Sequence, residues 1–168
     1  MLLAGNETTR NAISRGMLAL IEHPEEREKL RSNPELWPRA VEEILRWSTP
    51  VRVLRRTLLK DAELAGQRMR EGDSVLLLYC SANRDEAVFD EPYAFRVDRT
   101  PNDHLTFGLG PHFCLGASLA RMEIAVLVER VLARLPGLAL APGERPREGR
   151  NAILASIDAM PVVFEPRA

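Results

Sequence analysis

The sequence lacks the features that mark several classes of protein. Its two cysteines are too few for a disulfide framework and indicate a reduced, cytoplasmic chain. No apolar run approaches the roughly 18 residues that a membrane-spanning helix needs, and no signal-peptide pattern opens the chain. The formal net charge of −1 favours neither nucleic acid nor an anionic membrane as a partner. Twelve prolines and ten glycines are spread out, so no linker or low-complexity tract is expected.

The composition that remains is that of an ordinary globular domain. Of the 168 residues, 45% are hydrophobic and 28% are charged, which argues against disorder. Helical periodicity predicts a first helix that ends at Pro24, a short polar helix over 25–31, a third helix over 36–47 and a long helix over 115–135. The first helix has no capping residue before it, which is typical of a chain cut inside a helix or of a frayed natural terminus.

Strands are predicted between and after these helices. Residues 51–54 alternate with arginines, residues 74–79 read as a buried strand, and a hairpin turn is expected at 64–67. Two more strands are expected in the tail, at 152–155 and 161–164. Together these segments predict a mainly α protein with small β-sheets, in the α+β class.

The strongest chemical signal is a glycine-rich segment before the long helix, residues 107–116, FGLGPHFCLG. Its three glycines let the backbone approach a flat group closely. A helix N-terminus favours a thiolate at Cys114. Such a thiolate serves as a nucleophile with His112 as its base, or as a ligand in a metal site or to one planar cofactor. The remaining alternative is an inert buried cysteine.

This segment resembles the haem-binding loop of cytochromes P450, Phe-x-x-Gly-x-x-x-Cys-x-Gly. Phe107, Gly110, Cys114 and Gly116 match every fixed position, and His112 fits the bacterial form. The resemblance implies that Cys114 is the axial thiolate ligand of the iron in haem b. Such ligation pushes electron density toward the iron. It also places Gly108 among the residues that contact the cofactor.

A second element is the Glu43-x-x-Arg46 pair on the third helix. Residues three apart share a helix face, so this is an ordinary surface pair when taken alone, and Glu42 with Arg46 would serve equally well. In cytochromes P450 such a pair fastens to the irregular segment before the cysteine loop. The resemblance therefore gives Glu43 and Arg46 a structural role, with Arg96 in the third place. They would brace the long irregular connection predicted over 83–102.

A third element lies in the first helix, at Ala4-Gly5-Asn6-Glu7-Thr8-Thr9. In cytochromes P450 a similar stretch crosses the central helix over the haem. The resemblance implies that Ala4 and Gly5 make room at the cofactor for dioxygen, while Glu7 and Thr8 are catalytic and relay protons. The Thr8 hydroxyl can also bond back to the preceding turn and open the helix. Without the cysteine motif, these residues read as an ordinary acidic first turn of a helix.

The same resemblance assigns the groups that would hold the haem propionates. Arg56 matches the arginine that binds one propionate, and His112 matches a second partner. Pairing of arginine with a carboxylate can be bidentate and strong. Arg55 is the obvious competitor for the first role, and the alternative for Arg56 is a strand-exposed charge.

The resemblance covers essentially the whole chain in the family's order, beginning inside the central helix. It implies that residues 1–168 are a single partial domain, the C-terminal haem-binding part of the fold, with the N-terminal part absent. The second half of the long helix is apolar nearly all round, so we expect partner helices that this chain does not contain.

The function implied is that of a haem-thiolate monooxygenase, which inserts one atom of dioxygen into an apolar organic substrate. Residues 4–13 and 81–89 look most like soluble actinobacterial members, within a branch that oxidises sterol side chains and methyl-branched lipids. Electrons would come from a ferredoxin and a ferredoxin reductase, with Arg121 either assisting docking or lying on a solvated helix face. No nucleic acid and no membrane is expected as a partner.

Three rival interpretations remain open at this point. The chain is alternatively a truncated, non-catalytic remnant without stable haem binding. A peroxide-using haem-thiolate enzyme is a second rival, against which the retained Glu7 and Thr8 argue. A metal site of His104, His112 and Cys114 is the third, although it lacks standard zinc spacing and a convincing fourth ligand.

Overall fold

The structure, a computed structural model, describes residues 2–165, with side chains from Ala4 onward. The helices are α1 (Leu2–Glu22), α2 (Pro24–Ser32), α3 (Trp37–Ser48), α4 (Tyr79–Ala82) and α5 (Ala117–Arg134). The strands are β1 (Val53–Thr57), β2 (Ala62–Leu64), β3 (Gln67–Met69), β4 (Ser74–Leu78), β5 (Ala139–Leu140), β6 (Arg147–Glu148), β7 (Ile157–Ala159) and β8 (Val162–Val163). Among residues 2–165, no helix is long and apolar enough to cross a membrane.

The strands form four small antiparallel pairs. They are β1 with β4, β2 with β3, β5 with β8, and β6 with β7. Between β2 and β3, Ala65 and Gly66 have φ angles of 50° and 78°, and a two-residue hairpin turn of type I′ requires such left-handed angles at both positions. The mainly α architecture with small sheets and the turn at 64–67 are therefore confirmed.

The core lies where α1, α3 and α5 pack together. Its fully buried side chains include Leu20, Ile44, Ile124 and Val128. α1 approaches α3 closely at Gly16, where an added Cβ would lie 2.5 Å from Ile44 Cγ2. Glycine permits this contact, whereas a larger residue would force the Ile44 side chain or one of the two helices to shift. The packing fixes α1, and with it the residues near its N-terminus, relative to the rest of the fold.

The long helix is buried on one side only. Ile124 and Val128 are fully buried, whereas Leu119, Met122 and Val126 are exposed. Within residues 2–165, α1 and α3 supply the helical packing partners of α5. The apolar residues on its other face are the ones for which the sequence predicted further partner helices.

One predicted tail strand is wrong. Residues 152–155 form no strand, and only Leu154 makes an isolated bridge, with Val51. The reason is local, since Asn151 Oδ1 accepts the backbone N–H groups of Ile153 (2.8 Å) and Leu154 (3.0 Å) and takes them away from a ladder. The strand in this region is β7, and the strand predicted at 161–164 is present as β8.

The prediction of a buried strand at 74–79 needs a smaller correction. The strand β4 is present, but its residues alternate between exposed and half-buried. Within residues 2–165 it pairs only with β1, so one of its edges has no partner strand there, and Leu76 and Leu78 are exposed.

Candidate functional site

A single cavity of about 950 Å³ brings distant segments of the chain together. This volume is at the upper end of the range of roughly 300–1,000 Å³ that is usual for small-molecule sites. α1 contributes Thr8, β1 contributes Arg56, and the glycine-rich loop contributes Cys114. The predicted site residues that line it are Ala4, Gly5, Thr8, Arg56, Phe107, Gly108, His112, Cys114 and Gly116. Glu7, Gly110 and Arg55 are not among the lining residues.

The loop that carries Cys114 is held in a tight backbone conformation. Gly108 and Gly110 have φ angles of 72° and 70°, which residues other than glycine rarely adopt. The Cys114 N–H donates to the Phe107 carbonyl oxygen (2.9 Å), and the Phe113 N–H donates to the Gly110 carbonyl oxygen (3.0 Å). These bonds return the chain on itself and present the half-buried Cys114 side chain to the cavity.

Several large apolar side chains on the cavity are exposed to an unusual degree. We call Leu78, Leu109, Leu115 and Leu119 the leucine wall; all four line the cavity and all are exposed. Leu109 is 79% exposed and Leu115 is 84% exposed. Contiguous exposed apolar surface in a cleft indicates a binding site. The wall, the thiol and Arg56 together suit a large apolar ligand with a metal centre and an acidic edge.

The α1 side of the cavity is open and carries two hydroxyls, those of Thr8 and Thr9. An added Cβ on Gly5 would meet no heavy atom within 4 Å. The Thr8 hydroxyl donates to the Ala4 carbonyl oxygen at 2.6 Å, which is the back-bond expected from the sequence. Glu7 is exposed and lies outside the cavity lining, so the structure brings Thr8 to the site but not Glu7.

Behind the cavity, Glu43 and Arg46 form a fully buried ion pair. Their two hydrogen bonds are 2.8 Å each, and both side chains are 0% exposed. The remaining Arg46 N–H groups donate to the carbonyl oxygens of Asn83 (2.9 Å), Pro92 (2.8 Å) and Ala94 (3.1 Å). The pair therefore fastens to α3 the irregular connection that follows α4. Glu42, the alternative partner for Arg46, points elsewhere.

The prediction of Arg96 as the third member of this cluster is wrong, and Arg99 takes that place. Arg99 Nε lies 3.1 Å and 3.3 Å from the two Glu43 carboxylate oxygens, and its side chain is 5% exposed. Arg96 gives Glu43 only its backbone N–H (2.9 Å), so its side chain points outward toward Glu91 and Asp90. We call Glu43, Arg46 and Arg99 the Glu43 cluster.

A buried asparagine joins this cluster to the segment before the cysteine loop. Asn83 donates to the hydroxyls of Thr49 (2.9 Å) and Thr106 (3.0 Å), and its side-chain oxygen accepts the Leu105 N–H (2.8 Å). All of its side-chain hydrogen-bonding groups are thus engaged, apart from one lone pair. Its signal in the sequence was the resemblance of residues 81–89 to a family segment that follows the predicted strand, and no role was predicted for Asn83.

A further ionic group, missed by the sequence analysis, lies behind the cysteine loop. Arg121 on α5 donates to both carboxylate oxygens of Glu42 on α3, at 2.7 Å and 2.9 Å. His104 Nε2 lies 3.1 Å from the same carboxylate. Burial alone raises the pKa of the Glu42 carboxyl, but the hydrogen bonds from His104 and Arg121, with the charge of Arg121, outweigh it and lower that pKa to about 2. Arg121 is therefore part of an ion pair and not a free charge on the helix surface.

The arrangement of the side chains does not support the alternative metal site of His104, His112 and Cys114. Among residues 2–165, no three His, Cys, Asp or Glu side chains are grouped so that they could hold a metal ion. His104 faces Glu42, while His112 and Cys114 face the cavity. A metal here would need to arrive with most of its ligands, as it does in a planar cofactor.

Comparisons with known proteins agree with this geometry. Residues 1–148 match the sequence profile of a family described as Cytochrome P450. The chain is 45% identical over 169 residues to a steroid C26-monooxygenase of Mycolicibacterium smegmatis, covering 100% of this chain and 42% of that protein. It is 48% identical over 166 residues to a methyl-branched lipid omega-hydroxylase of Mycobacterium bovis, covering 98% of this chain and 38% of that protein.

A solved structure gives the same result for the fold. The crystal structure of the cytochrome P450 enzyme CYP109B1 from Bacillus subtilis superposes with a TM-score of 0.91 at 44% identity. The match covers 96% of this chain and 43% of that one. The chain thus spans less than half of the length of the relatives it matches.

Proposed function

Because the chain belongs to the cytochrome P450 family, we propose that it forms the haem-binding part of a haem-thiolate monooxygenase. One observation carries the proposal. Cys114 shares one cavity with Thr8 and Arg56, which lie 106 and 58 positions earlier in the chain. A buried structural cysteine would need neither the cavity nor the two polar groups on its walls.

The cavity fits a haem group by its donors and its surface. Cys114 would supply the thiolate ligand, the leucine wall would provide apolar contacts, and Arg56 and His112 would pair with the propionates. The Arg56 guanidinium is exposed and, among the residues that the structure describes, bonds only to the Arg55 carbonyl oxygen (3.0 Å), so it can turn toward a carboxylate at little cost. When bound, thiolate-ligated haem supplies dioxygen activation and insertion of one oxygen atom into the substrate.

The residues of α1 would handle protons and space. Gly5 leaves room beside the cavity, and Thr8 holds a hydroxyl proton at its lining. In the back-bonded state that proton is directed to the Ala4 carbonyl oxygen, which leaves the oxygen lone pairs of Thr8 free to accept a hydrogen bond. Glu7 lies one residue away on the exposed side of the helix, where it can exchange protons with solvent and pass them toward Thr8.

The substrate we propose is an apolar molecule with a sterol side chain or a methyl-branched chain. The relatives named for steroid C26 oxidation and for omega-hydroxylation of methyl-branched lipids support this class. The leucine wall is consistent with it, since an apolar cleft gains free energy by removing apolar substrate surface from water. A ferredoxin with its reductase would supply electrons, and dioxygen would supply the inserted atom.

A second candidate is a remnant that does not hold haem stably. The specific observation in its favour is the exposure of Leu109 and Leu115, because a wall this open retains a ligand poorly. The same exposure is what a site looks like before its ligand covers it. The two candidates therefore differ in one measurable property, the retention of haem through Cys114.

The deciding experiment is a carbon monoxide difference spectrum of the chain reconstituted with haem and reduced. We expect a strongly red-shifted Soret band from thiolate ligation, lost completely in Cys114→Ser. The matched control is Cys80→Ser, because Cys80 is also half-buried but does not line the cavity. A band that survives Cys114→Ser would overturn the ligand assignment, and the absence of any shifted band in the unmodified chain would favour the remnant.

A further inference from the structure

We propose that Glu42, His104 and Arg121, which we call the Glu42 network, position the Phe107 ring behind Cys114 and hold a balanced pair of charges there. Through these two effects they set the electron donation of the Cys114 thiolate to haem iron. The proposal rests on the proposed function in one respect, since the donation exists only with haem bound. The positioning can be tested without haem.

The network joins three separate parts of the fold. Glu42 belongs to α3, His104 to the segment before the cysteine loop, and Arg121 to α5. Arg121 makes a two-pronged contact with the carboxylate, with Nε at 2.7 Å from Oε1 and Nη2 at 2.9 Å from Oε2. Such planar pairing fixes the orientation of the guanidinium as well as its distance.

The tautomer of His104 follows from its second contact. The Thr106 backbone N–H donates to His104 Nδ1 (3.3 Å), so in the neutral ring the hydrogen is on Nε2. Nε2–H then donates to Glu42 Oε2 (3.1 Å). The Glu42 carboxylate thus accepts three hydrogen bonds, and two of them come from the positively charged Arg121 guanidinium.

Phe107 carries the effect of the network to the cysteine. The Arg121 guanidinium carbon lies 4.6 Å from the centre of the Phe107 ring, within the range of a cation–π contact. The Phe107 carbonyl oxygen accepts the Cys114 N–H at 2.9 Å. Loss of the Arg121 contact with the ring would loosen residue 107 as a whole, including the carbonyl oxygen that holds the Cys114 backbone N–H. Groups one step removed from a metal ligand tune the metal in this way.

The charge part of the proposal makes a prediction that mere scaffolding does not. Arg121→Met leaves the Glu42 negative charge unbalanced near the loop, so the haem reduction potential should shift to a more negative value. Glu42→Gln leaves the Arg121 positive charge unbalanced, so the potential should shift to a more positive value. A structural defect alone has no reason to shift the potential in opposite directions for the two variants.

The experiment measures two properties of each variant. The first is amide hydrogen exchange at Cys114 in the haem-free chain, which we expect to accelerate at least several-fold in Arg121→Met. The second is the reduction potential of the haem-loaded chain, with Arg121→Lys expected to restore it because the charge is kept. The matched control is Arg130→Met, which removes an exposed arginine from the same helix about 13 Å further along.

Each outcome decides a separate question. Unchanged exchange at Cys114 in Arg121→Met, relative to Arg130→Met, overturns the positioning role. Potentials that shift in the same direction in Arg121→Met and Glu42→Gln, or that do not shift, overturn the charge role. If the unmodified chain shows no thiolate-type spectrum, the proposed function fails, and hydrogen exchange still decides the positioning role.

Discussion

The Glu43 cluster holds the irregular connection after α4, whereas the leucine wall lines the cavity, and the two regions are built in opposite ways. The Glu43 cluster buries three charged side chains, and the carboxylate and both guanidiniums bond to groups from elsewhere in the chain. The leucine wall leaves large apolar side chains in contact with solvent. The first region is completed by its own chain. The second has the surface that a core has, without the partner that a core needs.

The difference shows how to recognise a site that expects a ligand. Buried charges are costly unless they are paired, so a complete cluster indicates a structural role. Exposed leucines that line a cavity forgo the free energy of burial until something covers them. A cluster that is satisfied should therefore matter most for stability, and a wall that is unsatisfied should matter most for binding.

The largest effect should come from breaking the Glu43 cluster. Glu43→Ala leaves Arg46 and Arg99 buried without a counter-charge, and we expect the free energy of unfolding to fall by about 3–5 kcal/mol. Chemical denaturation of the haem-free chain measures it. The matched control is Glu28→Ala, because Glu28 and Arg31 have the same spacing and similar hydrogen bonds (2.6 and 2.7 Å) but are exposed. Equal destabilisation by the two variants would contradict the comparison.

A smaller loss of stability should distinguish Arg99 from Arg96, the two candidates for the third member of the Glu43 cluster. Arg99→Ala removes charged hydrogen bonds from a buried carboxylate, and we expect a loss of roughly 2–3 kcal/mol. Arg96→Ala keeps the backbone N–H that Glu43 uses and loses only exposed ion pairs, worth about 0–1 kcal/mol. Thermal or denaturant unfolding of both variants measures the difference. A greater loss in Arg96→Ala would restore the assignment expected from the sequence.

The smallest effect should come from the leucine wall, and it should be seen in binding. Leu115→Ala removes apolar surface that haem would cover, so we expect haem affinity to fall about tenfold. Unfolding of the haem-free chain should not change, because Leu115 is 84% exposed. The control is Leu59→Ala, at a leucine that is 89% exposed and outside the cavity lining. Haem titration followed by absorbance measures both, and equal affinities for the two variants would count against the wall as a binding surface.

The parts of the fold that could be predicted are those with a local signal. Helical periodicity placed α1, α2, α3 and α5 to within about two residues, and a two-residue turn placed the hairpin. The strands of the tail are two or three residues long and carry no periodicity. Asn151 shows the added difficulty, since its side chain competes with the backbone for the N–H groups of a strand that the composition favours.

The candidate site divides in the same way. Cys114 and the Glu43–Arg46 pair lie in short motifs with fixed spacing, so a resemblance could point to them. Arg99 and Arg96 are both arginines in one irregular segment, and only the turn of the backbone decides which side chain reaches Glu43. The partners in the Glu42–Arg121 pair are 79 positions apart in the chain, and no local pattern connects them.

Gly16 gives the cavity a mechanical property that its lining residues do not reveal. An added Cβ there would overlap Ile44, so the absence of a side chain at Gly16 allows α1 and α3 to pack closely. Thr8 is eight positions earlier on the same helix, and Cys114 belongs to the part of the fold that α3 braces. The distance between the Thr8 hydroxyl and the Cys114 thiol therefore depends on Gly16, although Gly16 does not line the cavity.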